Sequence, residues 1–196
     1  MNKVNYDLEF SKLTNSLIGK PTLLLHSCCA PCSSAVLKRV CQFFCVTVLY
    51  YNPNIYPQQE YNKRKAEQIK LCSALGVNFL DCDYCPNDFF DHIVGLEQEA
   101  EGGKRCNKCF YIRLSKTAQI AKQNGFNYFG TTLTVSPHKN ADVINQIGQQ
   151  LELQHQLKFL PADFKKKNGF LESIKLSKEY NLYRQNYCGC KFSMEN

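Results

Sequence analysis

Apolar residues follow two alternating rhythms along this chain. Short unbroken runs at Thr22–His26, Cys45–Tyr50, 77–80, Phe126–Thr131 and 158–160 read as buried strands. Between them the apolar positions return at helical spacing. Leu8, Leu13 and Leu17 mark a helix over 4–18, ended by Pro21. A second helix opens at Pro31 and Ser33-Ser34, with Ala35, Val36, Val40, Phe43 and Phe44 on one face. Further helices are predicted over 60–75 (stopped by Gly76), around 89–96, over 109–123 (stopped by Gly125), over 138–153 and over 169–180. The strand–helix alternation predicts an α/β fold, a doubly wound and mainly parallel sheet with helices on both faces. The functional crevice of such a sheet lies beyond the carboxyl ends of its strands. With no repeat and no Gly/Ser linker, residues 1–196 are expected to form a single α/β domain. Residues 1–19 would be an N-terminal helical extension, and 181–196 a C-terminal segment that folds back on the site.

Composition changes this picture in one respect: 12 of the 196 residues are Cys. The first residues carry no apolar signal-like stretch, and no run approaches the ~20 apolar residues that span a bilayer. A soluble cytoplasmic protein with no membrane partner is therefore expected, and its thiols would stay reduced. Clustered thiols in such a protein point to metal or redox chemistry rather than to staples. The net charge of +7, from 24 Lys and Arg against 17 Asp and Glu, suits a polyanionic partner such as tRNA without specifying one.

The first strand runs into Ser27-Cys28-Cys29-Ala30-Pro31-Cys32. Thiols at a strand-to-helix turn sit at the positive end of a helix dipole and are expected to ionise easily. Cys106-Asn107-Lys108-Cys109 has the spacing that lets two thiolates converge on one metal. Cys28 and Cys29 can complete a set of four if the backbone turns sharply between them. Cys188-Gly189-Cys190 is a third group, suited to a shared ion or to a strained, easily reduced disulfide. Cys82-Asp83-Tyr84-Cys85 competes on spacing alone. Cys41, Cys45 and Cys72 fall in apolar patterns and are expected to fill core. His26, His92, His138 and His155 are scattered and read as structural or exposed.

Several ordered motifs resemble epoxyqueuosine reductases of the QueH type. They are His26–Cys32, Tyr51–Ile55 with Glu60-Tyr61, Cys106–Leu114, Thr131–Leu133 with Ser136–Lys139, Phe164–Lys166, and Ser177–Cys190. The resemblance runs from about residue 20 to 193. It implies an adenine-nucleotide alpha-hydrolase-like (HUP-type) fold with its Cys-rich site at the carboxyl ends of the strands. It also implies reduction of epoxyqueuosine to queuosine at the wobble position of tRNA. The implied cofactor is a [4Fe-4S] cluster, held here by Cys28, Cys29, Cys106 and Cys109. The family further holds either a mononuclear iron or a redox-active pair at the terminal motif, here Cys188 and Cys190. Some relatives carry Asp at the position of Cys32; either residue binds iron, so Cys32 is a candidate third ligand. The Ser-Gly-Gly loop with which fold relatives bind ATP is replaced by Ser27-Cys28-Cys29, so no ATP is expected.

Epoxide reduction takes two electrons and two protons, which side chains alone do not supply. An external low-potential electron donor is therefore expected, with Tyr187, Glu179 or a water as the acid. Candidate tRNA contacts are Tyr56, Lys63, Arg64, Lys165, Lys166 and Arg184, which interleave aromatic and basic groups. Two rival readings stay open on the residues alone. One is a thiol–disulfide oxidoreductase using Cys29-Ala30-Pro31-Cys32. The other is a zinc-bound RNA-binding module with a closed site of four cysteines.

Overall fold

The computed structural model describes residues 4–194. Residues 1–3 of the expected N-terminal extension, and 195–196 of the expected terminal segment, lie outside them. Five parallel strands form the sheet: β1 (Thr22–His26), β2 (Cys45–Tyr50), β3 (Asn78–Asp81), β4 (Tyr128–Thr131) and β5 (Lys158–Phe159), in the order β3-β2-β1-β4-β5. The order reverses between β1 and β4, where a doubly wound sheet opens its crevice. His26 stands opposite Leu49 on β2 and Thr131 on β4, so three strands end level with one another.

Strand alternation divides the core into two layers. Leu24, Leu49, Phe129 and Phe159 pack with Phe110, Ile112, Leu114 and Ala118 of α5 (Lys104–Gln123) and with Ile144 and Leu151 of α6 (Ala141–His155). Leu23, Leu25, Val46 and Val48 point the other way. They meet α1 (Tyr6–Asn15) through Phe10, α2 (Ala30–Val40) through Val36, Leu37 and Val40, and α3 (Gln58–Leu75) through Leu71 and Cys72. The last helix, α7 (Gly169–Glu179), packs on α2. Gly76 ends α3 with φ +62°, a left-handed conformation that glycine adopts without steric cost.

Three expected elements differ. The segment expected to be helical around 89–96 contains only the single turn α4 (Asn87–Phe90). Phe43 and Phe44 lie beyond the end of α2, in the turn before β2. Helix α5 begins at Lys104, not Cys109, with Gly103 as its N-cap. Cys106 and Cys109 therefore share one helical face at i, i+3 and do not rely on a turn to converge. Cys45 is exposed, contrary to its expected core role, because it is the first residue of β2, at the rim of the sheet.

Candidate metal centre

The thiols at the end of β1 are brought together by a bend. Cys28 lies in the bend, and Cys29 is the extended N-cap of α2, with Pro31 in the helix's first turn. The Cys28 and Cys29 Sγ atoms are 3.8 Å apart, and those of Cys28, Cys29 and Cys32 all lie within 4.8 Å of one another. Ser27 and Ser33 hydroxyls donate to Gln68 Oε1 at 2.6 and 2.9 Å, which ties the turn to α3; Gln68 in turn donates to Cys72 at 3.3 Å. Cys72 is thus a buried structural thiol.

His26 joins the strand ends. Its ring nitrogens meet Thr131 Oγ1 at 3.0 Å, the Tyr51 carbonyl at 3.2 Å and Asn52 Oδ1 at 3.3 Å. Burial, aided by the nearby Arg113 charge, lowers its pKa to about 3, so the ring is neutral. Asn52 donates to the Ser27 carbonyl at 2.8 Å and accepts from Arg113 Nη1 at 3.3 Å.

Cys106, Cys109, Cys188 and Cys190 line a small, largely apolar inner cavity, with Arg113, Arg105 and Asn54. Cys109 and Cys190 share the buried cluster that holds Cys28 and Cys29, and Cys32, Cys82 and Cys106 pack against it. The structure thus gathers Cys28, Cys29 and Cys32 in one triad and Cys106, Cys109, Cys188 and Cys190 around one cavity. Cys82 is half-buried and Cys85 exposed, and neither is among the groups lining this cavity. The three thiols that approach one another most closely are Cys28, Cys29 and Cys32, whereas the expected set of four paired Cys28 and Cys29 with Cys106 and Cys109.

Cys188 also faces an outer cavity of about 350 Å³ that Cys28, Cys32, Lys139, Phe170, Arg184 and Tyr187 line. Burial opposes the Lys139 ammonium, yet the Cys188, Cys28 and Cys32 sulfurs raise its pKa above the ordinary value. Arg184 donates to Ser177 Oγ at 3.0 Å and lies 6.0 Å from the Phe170 ring centroid.

Easy ionisation at the turn holds for one thiol of the three. Cys29 and Cys32 donate hydrogen bonds that hold Cys28 well below the usual thiol range. The same hydrogen bonding raises Cys29 to about 11 and pushes Cys32 well above its ordinary value. Burial raises Cys109 to about 12. A metal cation supplies the missing positive charge and deprotonates such thiols. Three buried polar atoms on residues that line the inner cavity, Arg113 Nη2, Arg105 Nε and Asn54 Oδ1, have no protein partner. An N–H donor left open beside Cys109 fits an anionic, sulfur-rich group, and so does the thiol donor set.

The thioredoxin-like reading uses only Cys29 and Cys32 and leaves Cys28, whose Sγ lies within 4.8 Å of both, without a role. Of the expected acids, Glu179 is exposed and does not line the outer cavity. Tyr187 lines it, with its hydroxyl donating to the Tyr56 carbonyl at 2.6 Å. Among the expected RNA contacts, Tyr56, Lys63, Lys166 and Arg184 are exposed, and half-buried Lys165 pairs with Asp163 at 3.0 Å. Arg64 is corrected: its side chain is buried, since Glu60 and two carbonyls of the terminal segment take up its donors. The sequence reading gave no individual role to Asn52, Asn54, Arg113 or Lys139. The available signal was a cation, Arg113, one turn past Cys109 and flanked by Ile112 and Leu114.

Fold and site together define a doubly wound, parallel α/β protein with a thiol-lined candidate metal site at its switch point. A family model described as "Epoxyqueuosine reductase QueH" matches residues 23–196, and the chain belongs to that family. It is 42% identical to the epoxyqueuosine reductase QueH of Streptococcus pyogenes serotype M1, over 97% of this chain and 78% of that one. Identity to the Staphylococcus epidermidis enzyme is 38%, over 97% and 85% of the two chains, and to the Thermotoga maritima enzyme 37%, over 88% and 90%. Among solved structures the fold is similar to the U34-tRNA thiolase NcsA from Methanococcus maripaludis with its [4Fe-4S] cluster. The TM-score is 0.60 at 12% identity, covering 97% of this chain and 69% of that one. No helix among the described residues is long and apolar enough to cross a membrane.

Proposed function

We propose that this chain reduces epoxyqueuosine to queuosine at the wobble position of tRNA, using a [4Fe-4S] cluster held by Cys28, Cys29, Cys106 and Cys109. The observation that carries this reading is that the turn after β1, α5 and the terminal segment all deliver thiols to two cavities that share Cys188 and Lys139. A cubane spaces its thiolates around its corners, so ligands drawn from two elements suit it better than one tight triad. Cys32, Cys188 and Cys190 remain for a mononuclear iron or for a dithiol. The metal group supplies electrons, taken from an external low-potential donor, at a potential no side chain reaches.

The protein's own residues bind and orient. Phe170 and Tyr187 offer ring surfaces for an unstacked base, and Arg184 a cation beside them. Lys139 presents a protonated Nζ to the cavity, where oxygen must leave as water. Twelve free thiols suit a reducing cytoplasm. We further propose that residues 1–196 act as one domain and need no ATP.

The test is direct. Anaerobically prepared protein with dithionite as donor should convert epoxyqueuosine tRNA to queuosine tRNA, read by mass spectrometry of the digested nucleosides. Unchanged epoxyqueuosine, with a fully loaded metal site, would overturn the assignment.

A further inference from the structure

Arg64 lies on a helix between exposed Lys63 and half-buried Lys65, yet its residue exposure is 1%. Its Nε donates to Glu60 Oε1 at 2.7 Å. Nη1 donates to the Cys188 carbonyl at 3.1 Å, and Nη2 to the Tyr187 carbonyl at 3.4 Å. The guanidinium carbon sits 5.0 Å from the Tyr187 ring centroid. Glu60 is held from its other side by the Tyr183 hydroxyl at 3.1 Å. Across the loop, the Tyr56 amide donates to the Gly189 carbonyl at 2.8 Å. The peptide groups on both sides of Gly189 are therefore bonded to α3 or to the segment just before it.

Gly189 is fitted to this grip. Its φ of +123° suits glycine, and a Cβ there would lie 2.9 Å from Arg64 Nη1 and 3.2 Å from Ile55 Cγ1. Burying a guanidinium is costly unless its donors are used, and here they are shared between a carboxylate and two consecutive carbonyls. A lysine has no planar fork with which to reach both carbonyls. The outcome is a loop with two unequal thiols: half-buried Cys188 faces both cavities, while buried Cys190 faces only the inner one, its Sγ 3.6 Å from Ser193 Oγ.

We infer that Arg64 is the positioning residue of Cys188-Gly189-Cys190, holding Cys188 toward substrate and Cys190 toward the inner cavity. The consequence for turnover rests on the reductase reading; the unequal exposure of the two thiols does not. The test uses anaerobic holoprotein of wild type, Arg64→Lys and Gly189→Ala. Iodoacetamide labelling is followed per cysteine by mass spectrometry, alongside metal content, circular dichroism, and kcat and KM for epoxyqueuosine tRNA. Wild type should label at Cys188 well before Cys190. Both variants should stay folded and metal-loaded, with Cys190 labelling about tenfold faster or more, the factor one charge-assisted hydrogen bond carries. Their kcat should fall while KM for tRNA holds. Gly189→Ala leaves α3 intact, so it tests the grip even if Arg64→Lys fails to fold. Wild-type labelling in Gly189→Ala would overturn the inference, as would a raised KM with unchanged kcat in Arg64→Lys, which would make Arg64 an RNA contact. Altered labelling in variants of a wild type that cannot reduce epoxyqueuosine would sink the reductase reading and leave the positioning role standing.

Discussion

Arg113 Nη1 lies 3.3 Å from Asn52 Oδ1, and this contact joins the two halves of the thiol site. Arg113 also donates from Nε to the Cys109 carbonyl at 3.3 Å, while Asn52 donates to the Ser27 carbonyl at 2.8 Å. A helix-borne thiol and a strand-end turn are thereby held in one frame by two buried polar side chains. The remaining guanidinium nitrogen, Nη2, has no protein acceptor.

That open donor makes Arg113→Lys informative. The variant keeps the charge but loses the fork that ties the Cys109 carbonyl to Asn52. Metal affinity should fall roughly 10- to 100-fold. Competition with a chelator, followed by absorbance, checks this; unchanged affinity would remove Arg113 from the support of the site.

Cys106→Ser and Cys109→Ser should each abolish iron and sulfide loading. The double variant Cys82→Ser/Cys85→Ser should load like wild type, because neither residue lines the cavities that Cys28, Cys32, Cys106, Cys109, Cys188 and Cys190 line, and neither joins the triad of Cys28, Cys29 and Cys32. Iron and sulfide assays on the purified variants decide between the two C-x-x-C motifs.

Much of this was legible in the sequence, and the failures have physical causes. All five strands fall where the apolar runs lie; the central strands β1 and β4 need continuous apolar residues because both faces are covered, whereas β3, expected to be buried, is an edge strand with none of its residues buried. Cys28 and Cys29 were readable as a turn because Pro31 punctuates it. The early start of α5 was not, because Lys104, Arg105, Asn107 and Lys108 mask the helix with polar residues. The burial of Arg64 and Arg113 was also hidden. A buried cation is defined by its partners, and besides nearby Glu60 those of Arg64 are two carbonyls more than a hundred positions away in the terminal segment. Cys45 misled because it is apolar in pattern but sits at a strand's exposed first position.

Gly148→Ala tests the packing of α6 on β5. A Cβ at Gly148 would overlap the Phe159 ring. Overpacking of that kind costs about 1–3 kcal/mol, so the urea midpoint should fall with an unchanged slope. An unaltered midpoint would mean that Phe159 moves aside freely.

Exposed Lys166 and the cavity-lining Arg184 bear on tRNA binding. If both meet phosphate, affinity should fall steeply with salt, and each Ala variant should reduce the salt slope by about one. Filter binding across a salt series measures it. Slopes equal to wild type would place the RNA elsewhere.

Distant sulfurs from β1 and α5 gathering around inorganic iron is the claim on which the rest stands. Iron, zinc and acid-labile sulfide determined on anaerobically purified protein test it most directly. About four iron and four sulfide per chain, or one further iron, with a brown absorbance lost in Cys106→Ser, is the predicted result. Colourless protein holding one zinc and no sulfide, or no metal at all, would contradict it.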